Sequence, residues 1–293
     1  MRKRSIFTAC LVAFVFFLCS QALAGHGGHE RPEKRGILLA AFGTTVSEAR
    51  VALENVEEEV RKAFPDLPVR WAYTSHMVRR RLAGQGVEID SLETALARMM
   101  DEGFTHVAVQ SLHTIGGWEF HDLVRNARAF SGMAGGFDRL VVGGPLLNGR
   151  EDIGRTAEVL LREQPDTRKP GEALVFMGHG TDHPADALYT ALAVELRKRD
   201  PDAFLGTVEG SPGIEEIRGL LTEREVSRAY LVPFMAVAGD HARNDLAGEG
   251  EDSWKSVLSR AGVECVPVLR GTAELDPMVA IWVDHLRSAM KAW

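Results

Sequence analysis

Cysteine is nearly absent from this 293-residue chain. Two of its three cysteines, Cys10 and Cys19, fall near the start, so the chain beyond residue 24 keeps Cys265 alone and cannot hold an internal disulfide. Long apolar runs are scarce as well. The stretch from Ile6 to Leu18 is too short for an ordinary membrane span. Basic charge is in deficit, with 34 Lys and Arg against 41 Asp and Glu, which argues against nucleic acid or anionic membrane surfaces as partners. No Gly-x-Gly-x-x-Gly fingerprint, Walker loop or Gly-x-Ser-x-Gly elbow occurs. Dinucleotide binding, P-loop phosphate binding and hydrolase-type serine chemistry therefore lack support.

What is present begins with a basic Met1-Arg-Lys-Arg, the apolar run, and Ala22-Leu-Ala24. That order reads as a secretory signal peptide over 1–24, cleaved after Ala24. Loss of Arg2, Lys3 and Arg4 takes the net charge from −7 to −10. An exported chain of this size without disulfides fits a bacterial periplasm, with no membrane association after cleavage. Residues 25–35 are polar and glycine-rich, a disordered leader in which His26 and His29 are solvated.

From Gly36 onward, short apolar strands alternate with helical patterns. Val46 to Phe64 carries apolar residues at helical spacing, and Asp90-Ser-Leu-Glu93 reads as a capping box opening another helix. The Pro- and Gly-bearing stretch 164–171 reads as a linker, after which the order repeats. Ile37 to Thr44 parallels Leu174 to Thr181, and Val107 to Leu112 parallels Leu231 to Val237. The expected fold is α/β: two similar doubly wound lobes over 36–164 and 172–293, each with a four-stranded parallel sheet, and a cleft between their carboxyl edges. A single continuous sheet is the alternative.

Three strands of the second half end in a potential metal ligand beside glycine. Leu174 to Met177 runs into Gly178-His179-Gly180, Phe204 to Val208 into Glu209-Gly210, and Ala229 to Val237 into Gly239-Asp240-His241. Ligands gather at such edges, and two imidazoles with one carboxylate suit a divalent first-row ion while leaving coordination positions open. His179, Glu209 and His241 are the predicted metal site. Cys265, inside the apolar strand Val263 to Val268, reads as core.

The segments Gln110 to Gly117, Phe176 to Gly180, Val208 to Pro212, Leu231 to Asp245 and Gly250 to Lys255 together resemble the anaerobic-type sirohydrochlorin cobaltochelatases, the CbiK family. Ala238-Gly-Asp-His-Ala-Arg-Asn-Asp245 is the most specific of them. The resemblance covers residues 36 to 290. It implies a class II chelatase fold, metal binding by His179, Glu209 and His241, and sirohydrochlorin, with its eight carboxylates, as substrate. The reaction expected is insertion of Co2+, or alternatively Fe2+, with loss of two pyrrole protons. His179 and His241 then deliver metal and accept protons, Glu209 completes the site, and His113 lines the pocket. Arg79, Arg80, Arg81, Arg125 and Arg243 are candidate partners for substrate carboxylates. His121 departs from the family pattern, and beside Trp118 and Phe120 it is a candidate ligand for haem b, held between subunits of a homo-oligomer. The competing reading is a periplasmic carrier of haem or metal on a chelatase scaffold.

Overall fold

The alternation of apolar strands and helices produces two separate sheets. In the computed structural model, which describes residues 31–293, the first sheet holds β1 (Arg35–Ala41), β2 (Val69–Tyr73), β3 (His106–Ser111) and β4 (Arg139–Gly143), in the order β2-β1-β3-β4. The second holds β5 (Ala173–Gly178), β6 (Ala203–Thr207), β7 (Arg228–Pro233) and β8 (Glu264–Pro267), in the matching order β6-β5-β7-β8. Every pairing is parallel and none joins the sheets. The two doubly wound lobes form as expected, and the single-sheet alternative is excluded. The predicted signal segment, with His26 and His29 of the leader, lies outside the described residues.

The connecting helices are α1 (Val51–Ala63), α2 (His76–Ala83), α3 (Leu92–Asp101), α4 (Trp118–Ser131) and α5 (Arg150–Arg162). In the second half they are α6 (Ala187–Arg199), α7 (Ile214–Glu223), α8 (Trp254–Arg260) and α9 (Asp276–Met290). A strand's side chains alternate between faces, and both faces are covered here. Thus Ile37, Leu39 and Ala41 enter one apolar core while Leu38 and Ala40 enter another. The second lobe has its own outer core around Val175, Phe204 and Trp254.

The inner core is shared. It runs from Ile37 and Leu39 of the first sheet to Leu174 and Phe176 of the second, by way of the fully buried Trp282 and Leu286 of α9. Helix α9 packs on α1, β3, β4 and α5, so the last helix of the chain covers the first sheet. Helix α5 packs on α6, and its Leu160 sits among Leu174, Phe176 and Val232 of the second sheet. Each half of the sequence thus lends its final helix to the opposite lobe. A boundary drawn in the sequence at 164–171 therefore does not coincide with the packing of either helix.

Four local expectations change. Order begins before Gly36: the Lys34 amide donates to Thr105 Oγ1 at 2.9 Å, and its carbonyl accepts from the Thr105 and His106 amides. Ser91 caps α3, taking the Thr94 amide at 3.2 Å, while Asp90 turns to Arg98 at 2.9 Å. Residues 164–171 are pinned, because the enclosed Arg168 guanidinium donates to Asp200 and to Gln164, both at 2.5 Å. Burial pushes the Asp200 carboxyl up, but the hydrogen bonds from Arg168 and the Asp202 amide, with the Arg168 charge, together outweigh it and the carboxyl sits below its usual range. Finally, β7 stops at Pro233 and not at Val237. The carbonyls of Met235 and Ala236 are claimed by the Thr272 and Ala273 amides at 2.8 and 3.0 Å, which draws the chain out of the sheet. Cys265 is partly buried in β8, and burial pushes its thiol up.

Candidate active site

Strand β5 delivers His179 to the carboxyl edge, and two glycines let it do so. Gly180 has φ +79°, and a Cβ there would lie 2.4 Å from the Gly210 amide nitrogen. Only glycine permits both the left-handed turn and the close approach of the next loop. That approach sets the geometry, because the Glu209 amide donates to the His179 carbonyl at 2.8 Å. Asp186 ties the same loops, accepting from the Thr181 amide at 3.1 Å and the Ser211 amide at 3.2 Å.

His241 comes from the segment beyond β7, at the head of a π-helical turn over Ala242–Leu246. Such turns recur at functional sites because they re-aim a side chain within a helix. Here the turn sets Asp245 against the ring, and His241 Nδ1 lies 2.5 Å from Asp245 Oδ2. His179 Nδ1 lies 2.9 Å from the Gly180 carbonyl oxygen. A carbonyl and a carboxylate only accept, so each Nδ1 carries a proton, and it is Nε2 that offers a lone pair when the ring is neutral. This is how a second partner orients an imidazole towards metal.

The two rings meet edge to face with centroids 4.8 Å apart, and Glu209 Oε2 lies 3.9 Å from His179 Nδ1. The site is open, with the side chains of His179, Glu209 and His241 exposed by 40%, 60% and 41%. Among the described residues, no three His, Cys, Asp or Glu side chains already converge as a closed metal site. The expected ligands are neighbours, then, but not a finished coordination sphere. Glu209 faces the protonated nitrogen of His179, and only a rotamer change would let it share an ion with the Nε2 atoms.

The remaining candidates divide. His113, two residues past β3, bonds through Nδ1 to Ser111 Oγ at 2.8 Å. The residue is partly exposed, yet its Nε2 is sealed from solvent without a partner, and burial takes its pKa down to about 4 against a small opposing pull from Glu119. It is a neutral imidazole and a weak base. Arg79 points inward, donating to the Tyr73 carbonyl and to the Thr74 carbonyl at 3.0 Å, which removes it from the free cleft cations. Arg125 pairs with Asp122 one turn away on α4. Arg243 reaches across to Glu48 of the first lobe at 3.8 Å. Exposed His121 sits with its ring centroid 5.1 Å from that of His183, and Trp118 Nε1 donates to Asp182 Oδ1 at 2.9 Å. Asp186, Asp245, Asp182 and His183 escaped the sequence reading. The His241–Asp245 spacing of four was a usable signal, whereas Asp186 had none.

Contacts between strand-end loops show that the carboxyl edges face one another. Thr44, beyond β1, abuts Gly239, and Arg81 of α2 lies 3.5 Å from Asp240. Two matching α/β lobes with paired, half-exposed imidazoles at their common edge define a protein of the two-lobed chelatase type. The sequence profile of the cobalt chelatase (CbiK) family matches residues 35–291, and the chain belongs to that family.

Among its relatives, the sirohydrochlorin cobaltochelatase CbiKC of Nitratidesulfovibrio vulgaris is 48% identical over 259 residues, covering 88% of this chain and 92% of that protein. The sirohydrochlorin cobaltochelatase of Salmonella typhimurium is 34% identical, covering 88% and 97%. SirB from Bacillus subtilis, solved with Fe3+, shares the fold with a TM-score of 0.60 at 16% identity, covering 88% of this chain and 97% of its own.

Proposed function

We propose that this protein inserts Co2+ into sirohydrochlorin, with release of the two inner pyrrole protons. The observation that carries this reading is a division of labour between the two carboxyl edges. The edge of the second sheet bears the polar donors His179, Glu209 and His241. The loops and helices leaving the carboxyl ends of β1, β2 and β3 add exposed apolar side chains to polar ones such as Arg81 and His121. Phe42, Met77 and Trp118 there are 47%, 68% and 55% exposed. Exposed apolar side chains on one lobe with a donor set on the other suit a flat macrocycle that must be held while an ion reaches its nitrogens.

In this reading His179 and His241 hold Co2+ through Nε2, and Glu209 swings in to complete the ligand set. As the ring nitrogens replace these ligands, each freed Nε2 lone pair accepts one pyrrole proton. Neither imidazole holds metal and proton at once. Asp245 stabilises the imidazolium formed at His241, and Glu209 offsets the charge at His179. Relatives named as sirohydrochlorin cobaltochelatases support the substrate and the metal. Fe2+ is the competing ion: it stands just below Co2+ in intrinsic affinity at nitrogen and oxygen donors, so metal supply can decide between them.

The test is an anaerobic time course of sirohydrochlorin absorbance with Co2+ and with Fe2+, on wild type, His179→Ala and His241→Ala. Turnover by wild type that both substitutions abolish is expected; ring binding without turnover would leave the carrier reading in its place. Two further parts of the proposal stand beside this. Residues 1–24 direct the chain to the periplasm, tested by the amino terminus of protein recovered from that compartment. Exposed His121 ligates haem b between subunits of a homo-oligomer. Absence of a Soret band after haem addition to wild type, or its persistence in His121→Ala, would discard that assignment.

A further inference from the structure

Two arginines beside His241 are already engaged. Arg81, on α2 of the first lobe, lies 3.5 Å from Asp240 of the second. Arg243 of the second lobe lies 3.8 Å from Glu48 of the first. The two pairs cross the cleft in opposite senses, and His241 lies in sequence between Asp240 and Arg243. Both are loose and wet: side-chain exposure is 66% and 56% in the first pair, 39% and 71% in the second. Glu48 is nonetheless held as a carboxylate, lowered by a backbone hydrogen bond, by Ser47 and by Arg243. Each guanidinium thus meets one carboxylate oxygen at long range, where the group can take two at short range.

We propose that Arg81 and Arg243 are carboxylate subsites for the macrocycle, and that Asp240 and Glu48 are internal placeholders which the substrate's carboxylates displace. This rests on the reading of the cleft as a tetrapyrrole site. Exchange conserves the number of ion pairs, so neither arginine is ever stripped bare. It proceeds readily because exposed pairs are weak. A ring that reaches both arginines gains from the second contact as an intramolecular event, whereas a ring with few carboxylates displaces one placeholder at most. The pairs therefore favour densely carboxylated rings, and exchange transfers the bridge between lobes from protein to substrate.

Glu48→Gln, far in sequence from His241, is the clean probe. It is expected to lower KM for sirohydrochlorin about two- to fivefold with kcat held, because a weak exposed competitor has been removed. Asp240→Asn should move KM the same way, and Arg81→Ala and Arg243→Ala should each raise it about tenfold, as for loss of a charged hydrogen bond. Unchanged KM in Glu48→Gln together with unchanged KM in Arg243→Ala would overturn the assignment. If wild type inserts no metal, the chelatase reading fails separately. Absorbance titration with metal-free uroporphyrin, another octacarboxylate ring, then decides: tighter binding to Glu48→Gln than to wild type supports exchange, and equal binding refutes it.

Discussion

The two lobes share a strand order yet treat the same position differently. Phe42 and His179 each follow their central strand, and each precedes a glycine of positive φ, Gly43 at +95° and Gly180 at +79°. The first lobe puts a half-exposed phenyl ring there, the second an imidazole. Beyond the next strand the contrast continues. His113 has its Nε2 sealed from solvent, while His241 stands in the open and is steered by Asp245. A repeated fold supplies equivalent positions at the sheet edge, and burial and partners decide what chemistry each can carry. In the proposed reading one lobe holds the ring and the other handles the ion.

The largest effect should come from His179→Ala, which is expected to cut kcat about 10²- to 10⁴-fold, the usual range for a group handling a proton in the transition state. If the reciprocal change Phe42→Ala costs kcat as much, the division between lobes is wrong. Trp282→Ala tests whether the lobes are independent. It opens the shared core and should cost about 3–5 kcal/mol. Chemical denaturation should still show one transition, since α9 belongs to the packing of both halves; two separated transitions would show that the inner core does not couple them.

His113 predicts a pH dependence of stability. Its folded pKa of about 4 lies below the ordinary 6.5, so between those values the unfolded chain binds the proton that the fold refuses. Stability is full above roughly pH 6.5 and declines as pH falls towards 4, by at most about 3 kcal/mol at 1.36 kcal/mol per unit. His113→Gln should flatten that limb in denaturation curves taken at pH 7 and pH 5. Asp245→Asn leaves Nδ1 a weaker partner, and about 10- to 100-fold loss of Co2+ affinity is expected from titration of the metal. Smallest is Phe42→Ala, which should raise KM for the ring about three- to tenfold with kcat little changed, the worth of some apolar contact.

Much of the fold was legible in the chain. The β5 pattern Ala173–Gly178 is continuously buried, and the repeat of Ile37–Thr44 in Leu174–Thr181 foretold two like sheets. Helix exchange was not legible. The apolar face of α9 reads the same whichever sheet it covers, because periodicity reports that a face is buried but never against what. At the site, the glycines on both sides of His179 gave its strand-end setting, and Gly239 marked the segment that carries His241. The inward turn of Arg79 and the pairing of Arg243 with Glu48 depend on residues 5 and 195 positions away and leave no local trace.

Sequence alone determined the chemistry available: which strands form and which donors lie in the segments beyond them, because period and turn chemistry are local properties. Tertiary structure alone decided that the rings of His179 and His241 meet, that His113 Nε2 is sealed away, and which cations are already spoken for. Those depend on loops meeting across a cleft, and proximity between distant segments is set by packing.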